Sequence, residues 1–326
     1  MRTQTQNLDN LYTTTFQNRQ KGIIDNIFTS TPFWYMMTKN GRNKASDGGA
    51  WIEIALRYGK NETIKAFGKN STFDIVDDEY LTVAQYNMRF VGGSISRSWV
   101  DEQKNKGKSQ IINAVNDKID TLEMSMIDKM EEYLFADGTG DGGLAPDGLG
   151  NLIAESPITG TVGNINRATY SWWRNNYKDM ASEEVSVYLK KRMATMFNDC
   201  GQQGDGVSRF PDLLVTAQNV YEAYESEVAE LQQIVSTGNG VGDLGFGDMK
   251  YKGRAITWAP SCPAGSIYFI NTNFLNWMYD PIAQFDMTDW KEIPNQYKDR
   301  VAQVALAGNL VGSNFKRQGV IFNITP

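Results

Sequence analysis

Between Ser109 and Asp137 the chain reads SQIINAVNDKIDTLEMSMIDKMEEYLFAD, and its apolar residues recur at steps of three and four. Ile112, Val115, Ile119, Leu122, Met126, Met130 and Tyr133 draw one stripe along a helix. Ser109 suits the N-cap, and Gly138 follows the last periodic residue, where a glycine can close a helix. At about 1.5 Å per residue such a helix runs roughly 40 Å, well beyond the usual length in a globular domain. By itself the stripe says only that one face is buried, so its neighbours decide what the helix serves.

Upstream, residues 1–22 are rich in Gln, Asn and Thr with scattered Leu8, Leu11, Tyr12 and Phe16, too few apolar groups to fold alone. Residues 23–37 then gather Ile23, Ile24, Ile27, Phe28, Phe33, Trp34, Tyr35 and Met36 around a helix-breaking Pro32. From Trp51 to Gly59, Ile52, Ile54, Leu56 and Tyr58 alternate with Glu53, Ala55 and Arg57. From Tyr80 to Val91 the alternation returns, placing Tyr80, Thr82, Ala84, Tyr86, Met88 and Phe90 on one expected face. Two period-two strands around a polar stretch, 60–79, predict a long hairpin whose tip projects from the body.

Downstream, residues 137–164 are glycine-rich loop, and a second helix is expected from Ser182 to Cys200, with Val185, Val187, Tyr188, Met193, Met196 and Phe197 mostly on one side. LLVTA predicts a short buried strand, followed by a helix from about Ala217. KGRAITWAP, SIYFINT and FLNWMYD read as strands, and the alternating segment 299–325 as strands returning to the body. The glycine-rich 236–247 reads as a loop.

Composition narrows the function. The chain has 326 residues, enough for about two domains of ordinary size. Its net charge of −6 argues against a dedicated nucleic-acid binder, and no run is long enough for a transmembrane helix. With no histidine at all, Ser-His-Asp and Cys-His nucleophile pairs and imidazole metal ligands are closed to it. Cys200 and Cys262 are two isolated thiols, read as small buried hydrophobes in a reducing compartment.

The short motifs are weak. Gly240-Val-Gly-Asp-Leu-Gly245 fits a dinucleotide pattern on paper, but a strand rather than a helix follows it. Asp137, Asp141 and Asp147 sit among glycines without the spacing of a calcium loop. Glu131-Glu132 and Asp77-Asp78-Glu79 are adjacent acids, poor acid/base couples, and are read as solvated or subunit-contact surface. Trp172 and Trp173 lack a basic groove and are read as packing.

Six segments, in one order, carry a resemblance. They are IIDNIFTSTPFWYMMTKNGRNKASDGGAWIEIALRYGKNET (23–63), LEMSMIDKMEEYLFADGTG (122–140), DGLGNLI (147–153), INRATYSWWRN (165–175), FPDLLVTAQNVYEAY (210–224) and MKYKGRAITWAPSCPAGSIYFINTNFLNWMYDP (249–281). Together they resemble the major capsid proteins of tailed double-stranded DNA bacteriophages, the Hong Kong ninety-seven-type fold. The resemblance implies an α+β fold in parts: an N-terminal arm (1–45), an extended hairpin loop (46–105), a peripheral domain with the long spine helix (106–180, with 291–326 returning to it) and an axial domain (181–290).

The resemblance also implies a structural protein, not an enzyme. It would assemble as hexamers and pentamers into an icosahedral shell around the phage genome, and the family's shells expand as DNA is packaged. The implied partners are further copies of itself, a separate scaffolding protein, a portal at one vertex and packaged DNA held without sequence specificity. A decoration protein is allowed, a cofactor, metal or membrane is not. The implied place is the virion, after assembly in the bacterial host cytoplasm. Candidate subunit contacts are Leu8, Leu11, Tyr12 and Phe16 on the arm, Lys60, Lys65 and Lys69 on the hairpin tip, and Gly240 and Asp243 in the axial loop. Some members join subunits covalently through Lys–Asn links near that tip. No acceptor asparagine or assisting acid is identifiable here, so non-covalent contacts are expected. Two alternatives stand beside this reading: a nanocompartment shell protein of the same fold, and a carboxylate-dependent hydrolase, for which no matched acid pair emerges.

Overall fold

Leu213, Leu214, Val215 and Thr216 offer no polar side to water, and in the computed structural model they form strand β8 inside a six-stranded sheet. The structure describes residues 33–34, 37, 43–45, 49, 51–61, 63–72, 79–100, 108–201, 209–232 and 249–325. With strands numbered β1 to β15 along the chain, the sheet order is β7 (Asn176–Asp179), β15 (Gly319–Phe322), β11 (Ile267–Ile270), β8, β10 (Arg254–Trp258) and β9 (Lys250–Tyr251). The β7–β15 and β8–β10 pairs are parallel, the others antiparallel.

Both faces of this sheet are covered, as a continuous apolar run demands. Leu214, Ile256, Ile267, Phe269 and Ile321 face a core built with the helices α2 (Val185–Cys200) and α3 (Gln218–Gln232). Helix α3 is the crossover between the adjacent parallel strands β8 and β10. The alternate residues Leu213, Val215, Tyr268, Ile270 and Val320 face a second, larger core. The α2 stripe differs from the expected one. Val185, Leu189, Met193, Met196, Phe197 and Cys200 are buried, whereas Val187 and Tyr188 turn outward.

The larger core also receives the spine helix, α1 (Lys108–Phe135), through Ile119, Met126, Met130, Tyr133, Leu134 and Phe135. Leu122, half-buried, packs against it. The helix stops where its C-terminal glycine was expected, with Gly138 at φ +78°. Gly148 then lies directly on the last turn. A Cβ there would fall inside the van der Waals shells of the Tyr133 and Ala136 carbonyl oxygens, so only glycine permits the approach. Glu131, expected on a solvated face, is buried, because the helix end is covered on two sides rather than one.

A five-stranded sheet forms the other wall of that core. Its order is β1 (Asn43–Ala45), β12 (Leu275–Met287), β14 (Arg300–Gly312) and β4 (Arg89–Arg97), with β13 (Lys291–Glu292) also paired to β14. The register of β12 shifts between Tyr279 and Asp286, and Phe285 in this bulge adopts φ +52° with its ring buried. The arm is anchored here, Trp34 lying edge-on to Trp277 at 4.8 Å and Phe33 beside Phe135 at 5.7 Å.

The expected strand from Tyr80 to Val91 is two strands. β3 (Leu81–Asn87) pairs with β2 (Trp51–Arg57), and after Met88 the chain joins β14 as β4. The buried phase moves from Ala84 and Tyr86 to Ile95 and Arg97, leaving Phe90, which simple alternation puts on one face with Ala84 and Tyr86, exposed. Changing partner strands resets which side of the ribbon faces the core.

Two outcomes follow. Gly148→Ala should destabilise the fold by on the order of 3 kcal/mol in chemical denaturation, because the added methyl meets backbone rather than a movable side chain. At the start of α2, the Arg192 guanidinium (2.6 Å) and Lys178 ammonium (2.8 Å) hold the Glu183 carboxyl down at about 2. A depressed folded-state pKa gives stability that is complete above the unfolded value and lost as pH falls through the folded one. The stability gap between the unsubstituted protein and Glu183→Gln should therefore hold steady near neutrality and close as the pH falls from 4.5 toward 2. A gap unchanged at pH 2 would contradict the ion pair.

Candidate assembly surfaces

The hairpin β2–β3 has two different faces. Ile52, Leu56, Ala84 and Tyr86 point into the body. The Tyr86 hydroxyl donates to the Gly312 carbonyl at 2.8 Å, and burial pushes its pKa well above the usual tyrosine range. The short hairpin β5 (Thr161–Val162) and β6 (Ile165–Asn166) clamps the root. The Gly163 carbonyl accepts the Gln85 N–H at 3.0 Å, and with φ +57° a side chain at Gly163 would meet Tyr86 at 2.9 Å. Tyr58 stacks on Trp172 at 5.4 Å, and Trp173 is buried with Nε1 donating to the Val162 carbonyl at 2.9 Å, so the tryptophan pair packs. Nearby Arg167 is buried, donates to the carbonyls of Asn151 (3.0 Å) and Leu152 (2.6 Å), and is pulled down to a pKa of about 10 by that burial.

The opposite face meets solvent. Trp51, Glu53, Ala55 and Arg57 alternate outward from β2, and Leu81 and Val83 from β3, with Ala55 opposite Val83. Beyond them, Lys60, Lys65 and Lys69 are exposed on the tip. The tip folds on local bonds: Asn61 Oδ1 accepts from the Thr63 N–H (2.9 Å), and Ser71 Oγ from the Gly68 N–H (2.9 Å). Ile64 and Phe67 are 84% and 68% exposed there. Reading the tip as merely polar overlooks this pair, although their spacing of three inside a Lys/Asn/Thr stretch was visible in the sequence. Trp51, Leu81, Val83, Ile64 and Phe67 thus put apolar side chains on the solvent-facing side of the hairpin and its tip.

A second exposed cluster lies at the far end of the β4–β14 ladder, which runs from Arg89↔Gly308 at the hairpin root to Arg97↔Arg300. There Trp99 meets Tyr297 edge-on at 4.9 Å, its N–H donates to Asp299 Oδ1 at 2.8 Å, and Arg97 covers Trp290. Tyr297 and Val100 face outward. Leu8, Leu11, Tyr12, Phe16, Gly240 and Asp243, with the rest of the 236–247 loop, lie outside the described residues.

The remaining candidates are engaged locally. Asp137 accepts from Thr139 N (3.0 Å), Asp141 from the Tyr133 hydroxyl, and Asp147 from Asn151 (2.8 Å) and Asn309 (2.7 Å). Among the described residues no group of three His, Cys, Asp or Glu side chains is placed to hold a metal ion, and no helix is long and apolar enough to cross a membrane. Burial pushes the Cys200 and Cys262 thiols up to about 12, leaving them protonated. A cleft of 370 Å³ beside the first turn of α3 is lined by Gln218, Glu222 and Asn219, whose polar atoms serve one another and the Gly265 N–H.

No family model matches the sequence, and no curated protein does. Solved structures match nearly end to end. The cyanophage A-1(L) capsid superposes with a TM-score of 0.65 at 16% identity, over 91% of this chain and 93% of that one. The fold is that of the tailed-phage major capsid proteins. The capsid of a GTA particle matches at TM-score 0.56 and 10% identity, over 89% and 90% of the two chains. The encapsulin of Synechococcus elongatus matches at 0.53 and 12%, over 90% and 88%. At such identities it is the capsid fold that is shared, through core pattern and topology rather than through residues.

Shortening the 60–79 tip to a tight turn should leave the thermal unfolding of the isolated subunit nearly unchanged, since the Asn61–Thr63 and Gly68–Ser71 bonds are local and Ile64 and Phe67 are exposed. A collapse of the melting temperature would place the tip in the core.

Proposed function

We propose that this chain is the major capsid protein of a tailed phage, self-assembling as hexamers and pentamers into an icosahedral shell around double-stranded DNA. The observation that carries the reading is the capsid fold across 91% of the chain, together with a hairpin whose outer face exposes Trp51, Leu81 and Val83 among charged neighbours. The role is mechanical. The hairpin and arm bind neighbouring copies, while the two cores keep each subunit stiff. Lys60, Lys65 and Lys69 belong to the contact surface in this reading, as do Leu8, Leu11, Tyr12 and Phe16 on the arm and Gly240 and Asp243 at the ring centre. A scaffolding protein guides closure, a portal occupies one vertex, and the shell forms in the host cytoplasm before becoming the virion. The arm, hairpin, peripheral and axial parts are its working units.

A nanocompartment shell is the second reading, favoured by the encapsulin match over 90% of the chain. Purified particles decide between them: packaged DNA beside portal protein supports a phage head, an enclosed enzyme supports the compartment. Co-expression with the scaffolding protein should give closed shells or regular tubes by electron microscopy. Strictly monomeric protein at high concentration under those conditions sinks both. Removing residues 1–20 should leave the circular dichroism spectrum nearly intact while preventing stable shells, because a segment this poor in apolar groups gains its order from a partner.

A further inference from the structure

The chain leaves the hairpin at Asn87 and enters the five-stranded sheet at Arg89, so the hairpin's direction is decided within three residues. Asn309 of β14 spends its whole side chain on this crossover. It is fully buried. Its Nδ2 donates to the Asn87 carbonyl (2.9 Å) and to the Asp147 carboxylate (2.7 Å). Its Oδ1 accepts the N–H groups of Asp147 (2.8 Å) and Leu310 (2.9 Å). The other Asp147 oxygen takes Asn151 Nδ2 at 2.8 Å, and Arg89 reaches the Gly143 carbonyl at 2.7 Å. One amide therefore ties together the end of β3, the loop after the spine helix and the central strand β14.

Core packing does not require this. The amide works through its polar atoms: an apolar side chain there would leave the Asn87 carbonyl, the Asp147 N–H and the Asp147 carboxylate without this partner. What the amide adds is direction: its four bonds run to three separate segments. The hairpin strands extend about 23 Å from this point at about 3.3 Å per residue, so about 10° of freedom at the root moves their far end by about 4 Å. Packing of Ile52 and Leu56 and the Tyr58–Trp172 stack help to hold the strands along their length, and the bonds of Asn309 fix the end from which they start.

We propose that Asn309, acting through Asn87 and Asp147, is a positioning residue that sets the angle at which the hairpin leaves the body. The consequence for shell geometry rests on the capsid reading above, whereas the local consequence does not. Hydrogen–deuterium exchange of the isolated subunit should show Asn309→Ala raising exchange at 81–91 and 144–150 by roughly tenfold, with β8 and β11 unchanged. With scaffolding protein present, the variant should give particles of mixed diameter where the unsubstituted protein gives one. If Asn309→Ala is insoluble, Asp147→Asn, which keeps the side-chain volume and removes one acceptor, carries both measurements. Unchanged exchange at the root overturns the proposal, as does a uniform rise through both cores, which would mark the residue as a general stabiliser. Faster root exchange with shells of unaltered diameter also overturns it. Should the unsubstituted protein form no shells at all, the capsid reading fails, and the exchange data still decide whether Asn309 holds the hairpin.

Discussion

Leu214 and Val215 are adjacent on β8, yet one points toward α2 and α3 and the other toward the spine helix. Each buried side chain of this kind stabilises by about 1.5–3 kcal/mol relative to exposure, and the six-stranded sheet carries such residues on both faces. Neither core could close without it. Among the described residues, helices α2 and α3 have no other wall, and the end of α1, through Phe135 beside Tyr268 (6.2 Å), leans on the same strands. The five-stranded sheet completes the larger core from the far side, and the hairpin is an outgrowth of that second wall. A change in β8 is thus felt at both ends of the molecule.

Much of this was written in periodicity. The spine stripe, the LLVT strand, the α3 helix after it and the two hairpin strands each follow from spacing alone, because in each the burial is one-sided or complete over several residues. The failures differ in cause. Alternation groups Phe90 with Ala84 and Tyr86, and the α2 reading groups Val187 and Tyr188 with Val185, yet all three are exposed; Glu131, read as solvated or subunit-contact surface, is buried. A change of strand partner at Met88 reverses Phe90 and a helix end covered on two sides reverses Glu131, whereas Val187 lies about 200° round the helix from Val185, off the stripe by its own spacing. The polar node was also invisible, since Asn87, Asp147 and Asn309 are far apart in sequence and no local pattern joins them.

The surfaces show the same division. That the loop would be solvent-exposed was legible, as its described residues 64–72 are; that it would carry Ile64 and Phe67 outward was legible too, but only once outward became a known direction. With no histidine in the sequence and both thiols held protonated by burial, imidazole and thiolate chemistry are closed to the chain.

The ladder between β4 and β14 joins the hairpin root to the Trp99–Tyr297 cluster through nine registered pairs. In an antiparallel ladder the bonds lie across the strands. Tension applied between the two ends therefore acts in shear, loading every pair at once. A peeling force at one edge would instead break them singly. A subunit gripped at its hairpin and at that distant loop resists stretching as a rope splice does, by sharing load along its length.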